Sequence, residues 1–336
     1  MGRRSKPLSR RSFISGVAGV SAAIGNIAQD GGSCRGLLRS RQIEIVRTRV
    51  FAVGPNGGNP CPVVLSADWL NDREMQSLAR RFGVDTVFVL QPQSKCAEIR
   101  LRYFVPEHEM GVSGHATIAA VTVSVTDGAI KRNPLRIDTI SGPFEVTWTG
   151  PTENIVVTLE QNKPLFGAIG PTDRVAHALK IARGQITLTE SPIQSVSVSR
   201  AKLLVPLKDW IVLDTMTPDL ESLWRLCEEL QVTGLYAFSR RTNKERADVE
   251  ARQFPRRAGF PEDAATGVAA AALGAYLARY DHKCRTGQYQ FQIGQGYAMG
   301  APSRIQAIAE CADGKVTRTA IRGAARIIGR EQIALS

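Results

Sequence analysis

What this chain has little of limits its chemistry before any motif is read. Aromatic residues make up 6% of its 336 positions, there are four histidines, and the six cysteines (Cys34, Cys61, Cys96, Cys227, Cys284 and Cys311) stand far apart, with no C-x-x-C pair. Structural zinc needs closely spaced thiolate and imidazole ligands, so no metal is expected. A chain of this length buries enough apolar surface to fold without a disulfide framework, and its cysteines read as small buried apolar residues. Neither G-x-G-x-x-G nor a P-loop occurs, so no cofactor enters the reading. An RNP-type aromatic motif is missing too, and no apolar run reaches the roughly 20 residues of a stable membrane span.

Charge of one sign is in excess, but its location removes most of its meaning. The formal net charge is +12, yet seven of the 43 basic residues and one of the 31 acids fall in residues 1–40, which leaves the rest at +6. A mildly basic body without a reading motif does not predict a nucleic-acid partner. The pairs Arg240-Arg241 and Arg256-Arg257 read as solvated loop charge or as attraction for an anionic substrate.

Residues 1–40 read as a leader. Ser9-Arg10-Arg11-Ser12-Phe13-Ile14 fits a twin-arginine export pattern, followed by a short, weakly apolar run and by Ala23-Ile24-Gly25 as a small-x-small cleavage triplet. Export of the folded chain is the expectation, and a disordered basic arm in the cytoplasm is the alternative.

What the body contains is organised around residues 104–121, F-V-P-E-H-E-M-G-V-S-G-H-A-T-I-A-A-V. An apolar strand stops at Pro106, a glycine turn follows, and an apolar helix starts near Ser113, Gly114 and His115. Strand, glycine turn and helix start aim free backbone N–H groups and a positive dipole end at an anion. Residues 258–278 repeat the idea: a loop with Glu262 and Asp263, a Thr266-Gly267 cap, then an apolar helix. Two ordinary buried helices with ordinary caps are the bland alternative; the functional reading is two lobes built alike, their helix tips facing one cleft.

The remaining pattern frames these helices. Residues 43–51 alternate as a strand, 63–65 and 87–90 read as strands, and 70–82 as an amphipathic helix capped by Asn71 or Asp72 and ended by Gly83. Strands are expected at 99–104, 135–140, 144–149, 155–159, 196–205, 210–213, 235–238 and 248–254, and helices at 173–182 and 218–229. Residues 288–293, 303–308 and 315–321 close the chain as strands. The class is α+β, with a leader at 1–40, an N-terminal lobe at 41–150 and a C-terminal lobe at 151–336, the terminal strands free to cross between lobes.

Seven short pieces, in order, carry a family resemblance: Arg49-Val50-Phe51; Gly58-Asn59-Pro60 with Val63-Val64-Leu65; Asp85-Thr86-Val87-Phe88-Val89; Tyr103-Phe104-Val105-Pro106; Gly114-His115-Ala116-Thr117; Glu262-Asp263-Ala264-Ala265-Thr266-Gly267; and Gln295-Gly296-Tyr297-Ala298-Met299-Gly300. Together the chain resembles the PhzF-like isomerases, relatives of diaminopimelate epimerase. The resemblance implies two similar lobes, each a mixed sheet wrapped around a central apolar helix, and a cofactor-independent isomerase acting on a small anionic metabolite. It implies Asp85 as proton carrier, in a slot that holds glutamate in the family, with His115 and Asp263 assisting. Asn59, Ser113, Gly114, Thr266, Gly267 and Val268 are the implied substrate-binding positions. Val268 stands where the family usually has serine, and Gly300-Ala301-Pro302-Ser303 lacks the family's arginine. Those departures keep a catalytically weak binding protein as an alternative. A two-thiol racemase of the related fold needs a cysteine at each tip, where this chain has Ser113 and Ala265-Thr266. Oligomeric state stays open, with a homodimer as one option.

Overall fold

The computed structural model describes residues 41–243 and 247–335. The leader expectation, Cys34 included, lies outside them. The described chain begins β1 (Arg41–Val50), β2 (Asn59–Val64), α1 (Asp72–Phe82), β3 (Thr86–Leu90), β4 (Ile99–Phe104), β5 (Glu109–Met110), α2 (Gly114–Thr126), β6 (Leu135–Asp138), β7 (Phe144–Thr149), β8 (Val156–Gln161) and β9 (Leu165–Ile169). It continues α3 (Thr172–Leu179), β10 (Gln194–Ser197), β11 (Lys202–Leu207), α4 (Trp210–Thr215), α5 (Leu220–Glu229), β12 (Gly234–Ser239), β13 (Val249–Pro255), α6 (Gly267–Tyr280), β14 (Gly287–Gln295), β15 (Ser303–Ala312), β16 (Lys315–Gly323) and β17 (Ala325–Leu335).

The strands pair as one continuous mixed ribbon. It starts at β17, passes through β1, β2, β3, β4, β6, β7 and β8, crosses to β16, and runs on through β15, β14, β13, β12, β11 and β10 to β9. The β2–β3, β4–β6, β11–β12 and β13–β14 pairs are parallel. Chain order and spatial order part company at β16 and β17, which come last in sequence yet pair with β8 and β1.

Two helices fill the inside of this ribbon. Gly114 through Val125 of α2 and Gly267 through Ala278 of α6 are buried on every face, which is why their sequences are apolar all round and not striped. Strands β1, β2, β3, β4, β8 and β17 pack on α2; β10, β11, β14, β15 and β16 pack on α6. The striped helices lie outside. Met75 and Leu78 of α1 cover Ile43, Ile45, Val64 and Phe88, while α3, α4 and α5 cover Leu203, Val205, Leu207, Leu235 and Ala237. Strands β11, β12 and β13 are buried along their whole length, as strands covered on both faces are. Asn71 caps α1 with a reciprocal bond to Glu74, and Gly83 ends it in the left-handed conformation. No helix of the described residues is long and apolar enough to cross a membrane.

Three local expectations need correction. Residues 210–213 are not a strand but the start of α4: Asp209 accepts from Val212 N at 3.0 Å, and Leu213 and Met216 bury at helical spacing. The Ile211-Val212 pair, β-prone by itself, is overruled by that cap. Residues 196–205 are not one strand but the hairpin of β10 and β11, turning at 198–201. And β17 was not foreseen, because its alternation is half exposed and broken by Gly329, where the register with β1 slips. Of the described cysteines, Cys61, Cys227, Cys284 and Cys311 are buried and Cys96 is exposed, all as free thiols.

Candidate active site

The tips of α2 and α6 meet. The Cα of Gly267 lies 3.5 Å from where a Cβ on Gly114 would sit, and that Cβ would come 2.9 Å from Ile321 Cδ1 on β16. A Cβ on Gly267 would collide with the same Ile321 methyl and lie 3.6 Å from the Gly114 Cα. Both positions are glycine because two helix ends and one seam side chain share this space.

Neither tip is capped by the residue placed to cap it. Ser113 and Thr266 occupy the N-cap positions, yet neither side chain bonds a first-turn N–H. Ser113 Oγ turns instead to Asp85 Oδ2 at 3.2 Å and lies 3.4 Å from His115 Nδ1. Thr266 Oγ1 turns to Asp263 Oδ2. The first-turn N–H groups of both helices are thereby left for something other than their own caps.

Asp85, just ahead of β3, is 8% exposed. Burial raises its carboxyl above the ordinary range, and the charge of Asp263 adds to this; His115, Arg200 and the Ser113 bond work the other way. His115 Nε2 lies 3.5 Å from Asp85 Oδ2, an electrostatic contact without hydrogen-bond alignment, so this buried nitrogen has no hydrogen-bond partner among the described residues. Asp85 Oδ1 has none either; the Ser113 and His115 contacts both fall on Oδ2.

Asp263 is held from several sides. Asn59 Nδ2 donates to Asp263 Oδ1 at 2.5 Å and to Ala265 O at 2.9 Å. Asp263 N donates to Gln253 O at 3.0 Å, and Asp263 O accepts from Gln295 Nε2 at 2.6 Å. Gln295 in turn accepts from Tyr236 OH at 2.9 Å and from Thr266 N at 3.2 Å, fixing the tip of α6. The neighbouring acid, Glu262, is spent on a two-bond pair with Arg252 at 2.7 and 2.9 Å, and Arg252 also donates to Leu213 O and Met216 O. That pair anchors the loop that leads into α6.

A cleft of about 560 Å³, counted to its open mouth, is bounded by Asp85, Ser113, Gly114, His115, Asp263, Thr266, Gly267 and Val268. Eight of the nine positions expected from the sequence therefore line one space. Asn59 does not; it supports Asp263 and Ala265 from behind. The turn with Ala301 is not in the cleft either: Pro302 O accepts from Val53 N and Gly58 N, tying the start of β15 to the loop before β2. Sequence reading assigned no role to Gln295, Tyr236, Gln253, His108, Arg200 or Lys202, and it left Arg256 between loop charge and substrate attraction. Arg256 lines the cleft, whereas Arg257 lies over Trp224, and Arg240 is bound to Asp281 and Ser191. One signal was available in the sequence: Lys202 is the lone charge at the head of an otherwise apolar strand.

Two buried helices thus meet tip to tip, in an α+β fold, over a cleft lined by two carboxylates and by basic side chains. The chain belongs to the phenazine biosynthesis-like family (PhzC-PhzF), whose model matches residues 48–330. An uncharacterised isomerase of Bacillus subtilis, YfhB, is 30% identical over 296 residues, spanning 86% of this chain and 99% of its own. The trans-2,3-dihydro-3-hydroxyanthranilate isomerase of Pseudomonas chlororaphis is 29% identical over 287 residues, or 85% of this chain and 97% of its own. Among solved structures, a PhzF-family phenazine biosynthesis protein of Bacillus anthracis matches with a TM-score of 0.80 and 26% identity, over 88% of this chain and all of that one.

Proposed function

We propose that the protein is a cofactor-independent isomerase that moves a proton between carbons of a small carboxylate-bearing metabolite. The observation that carries this reading is the pair of uncapped helix tips meeting beside one buried carboxylate whose pKa is raised. The tips supply N–H donors and positive dipole ends for the substrate carboxylate. Removing a proton from the adjacent carbon places enolate-like negative charge on that carboxylate, where the same donors stabilise it. Asp85 takes the proton on Oδ1 and returns it at a second carbon. Its raised pKa suits this double role, since a carboxyl held above its ordinary range gives up and accepts a proton nearer neutral pH. Ser113 and His115 hold Oδ2 and so aim Oδ1, while Asp263, fixed by Asn59 and Thr266, orients the substrate from the α6 side.

Solvent deuterium incorporation into substrate carbon tests the assignment, because it reports proton abstraction even when net isomerisation is slow. The panel is a set of cyclic amino and hydroxy acids, and the name of the Pseudomonas chlororaphis relative makes trans-2,3-dihydro-3-hydroxyanthranilate its first member. Asp85→Asn is expected to lower exchange by about 10²–10⁴-fold, the usual contribution of a positioned acid–base group. Exchange that persists undiminished in that variant would move the proton carrier to His115 or Asp263.

A further inference from the structure

One wall of the cleft is built from strand ends. Because β11 and β12 run parallel and β13 runs against β12, the start of β11, the start of β12 and the end of β13 lie at one end of the sheet. Backbone bonds stitch the three together: Ala201 O accepts from Thr233 N at 2.8 Å, and Thr233 O accepts from Arg256 N at 3.1 Å. Arg200, Lys202 and Arg256 are brought to the cleft on these three ends, with His108 facing them from the turn between β4 and β5.

Two residues of this wall are hard to explain as structure alone. Lys202 is 4% exposed, at the head of a strand buried on both faces, and it shares the inner face with Leu204 by strand alternation. Among the described residues its ammonium has no hydrogen bond and no ion pair. Buried lysines without a partner are rare, because the charge loses its hydration for nothing. Gln253, on the inner face of β13, is 0% exposed, and neither its Nε2 nor its Oε1 finds a partner among the described residues. More than nine in ten buried polar groups are normally bonded. A Cβ on Gly234 would strike Gln253 Nε2, so this glycine leaves the room in which the amide lies.

The charges of the wall also oppose one another. Burial and then Arg200 push the Lys202 ammonium down to about 7, and burial and Arg256 lower the Arg200 guanidinium. His108 is lowered by burial and by Arg200 and Arg256. Acids do act on the cluster, but Asp263 is already bonded by Asn59 and Thr266, and Asp85 by Ser113. Among the described residues, the one hydrogen bond of the Arg200 guanidinium is to a thioether, its Nη1 being 2.7 Å from Met110 Sδ. No carboxylate among the described residues is hydrogen-bonded to or ion-paired with Arg200, Lys202 or Arg256, although Asp85 and Asp263 share their cleft.

We propose that the cleft takes a dianion: besides the carboxylate at the helix tips, which rests on the isomerase reading above, a second anionic group sits against Arg200, Lys202, Arg256 and the Gln253 amide. That group is a carboxylate or a phosphate, either of which accepts several charge-assisted hydrogen bonds at once. One carboxylate alone leaves the wall unneutralised and the Gln253 amide unpaired.

The test is calorimetric titration of the full chain with three probes of one chain length: butanoate, succinate and 3-phosphonopropanoate, in which phosphorus replaces the fourth carbon. Succinate, the phosphonate or both are expected to bind at least about tenfold tighter than butanoate, about 1.4 kcal/mol, and which of the two wins names the second group. In Lys202→Met and in Arg256→Gln that preference is expected to shrink toward unity. Lys202→Met removes a buried charge and so is expected to fold at least as well, which a thermal melt checks; Arg256→Gln alters a half-buried residue and serves as the independent variant. A second readout is specific to the lysine. Near pH 8 Lys202, pushed down to about 7 by burial and then by Arg200 against the opposing Asp263, Cys227 and Asp85, is largely neutral in the free protein, and an incoming anion restores its proton. Binding of the dianion is then expected to take up a proton, seen as a dependence of the heat on buffer ionisation, and Lys202→Met is expected to lose it. Equal affinity for butanoate and both dianions, no binding by any of them, or a preference that survives both substitutions overturns the proposal. Deuterium exchange in Asp85→Asn decides the isomerase reading separately: exchange that needs Asp85 without any dianion preference leaves that reading standing and removes this one.

Discussion

Asp85 carries a stability term opposed to its use. Its folded carboxyl is raised from an ordinary 3.8 chiefly by burial, so folding favours the protonated form. For a group raised on folding, the contribution to stability is fully present below the unfolded pKa and is lost as pH climbs through the folded one. Asp85→Asn, which keeps the shape and removes the charge, is therefore expected to melt near the parent below pH 4 and several degrees above it at pH 8. Melts across that range check it, and a variant that is less stable at pH 8 would mean the Ser113 and His115 contacts outweigh the burial. The same residue marks how far sequence carries at this scale. Asp85, His115 and Asp263 were put forward by short motifs shared with the family, and all three line one cleft. Gln253 and Lys202 were not put forward, because what singles them out is burial without a partner, a relation to other strands that no local pattern records. Ser113 was legible as a cap position and misleading as a cap, since the hydroxyl had a better acceptor in Asp85, 28 residues away in the chain.

For α2 and α6, the glycines at the tips make sense as contact between the helices. Gly114 and Gly267 line the cleft as expected substrate-binding positions, and their missing Cβ atoms also face each other and Ile321. Adding a methyl at Gly267 brings a helix-propensity gain of about 1 kcal/mol and an overpacking cost of about 1–3 kcal/mol. Gly267→Ala is thus expected to be net destabilising, and Ile321→Val, which removes the very methyl that the new Cβ would strike, is expected to recover part of the loss in the double variant. Denaturant melts of the parent, both singles and the double give the coupling, expected at about 0.5–1.5 kcal/mol. Simple additivity would mean the tip relaxes elsewhere. Helices and their order were readable here for a physical reason: a helix apolar on every face must be central, and two such segments fix two centres. Strands read less well. Residues 210–213 look extended until the Asp209 cap is known, and β17 has no apolar stripe to announce it.

Across the whole molecule, the site depends on strands that close it from a distance. Residues of the cleft come from the residue ahead of β3 and from β5, α2, β11, β13 and α6, and the ribbon that aligns them is joined at β8–β16 and completed at β1–β17. The last strand therefore does more than finish the chain. Ala325–Leu335 pairs with β1 along its length and packs on α2, the helix whose tip bears His115. Its loss would bare the backbone of β1, a ten-residue strand, and uncover one flank of a helix that is buried all round. An unpaired long edge of that kind invites association with other chains, and the uncovered apolar flank adds to the driving force. A chain ending at Ala324 is accordingly expected to be recovered mostly in aggregates, with any soluble fraction melting well below the parent and lacking Asp85-dependent exchange. A chain starting at Arg41, by contrast, keeps every pairing described here and is expected to melt with the full-length protein. Soluble yield and melting curves of the two truncations decide the matter. A soluble chain ending at Ala324, with the parent's melting temperature, would show that β17 is an accessory to the sheet and that β1 and α2 hold the site without it.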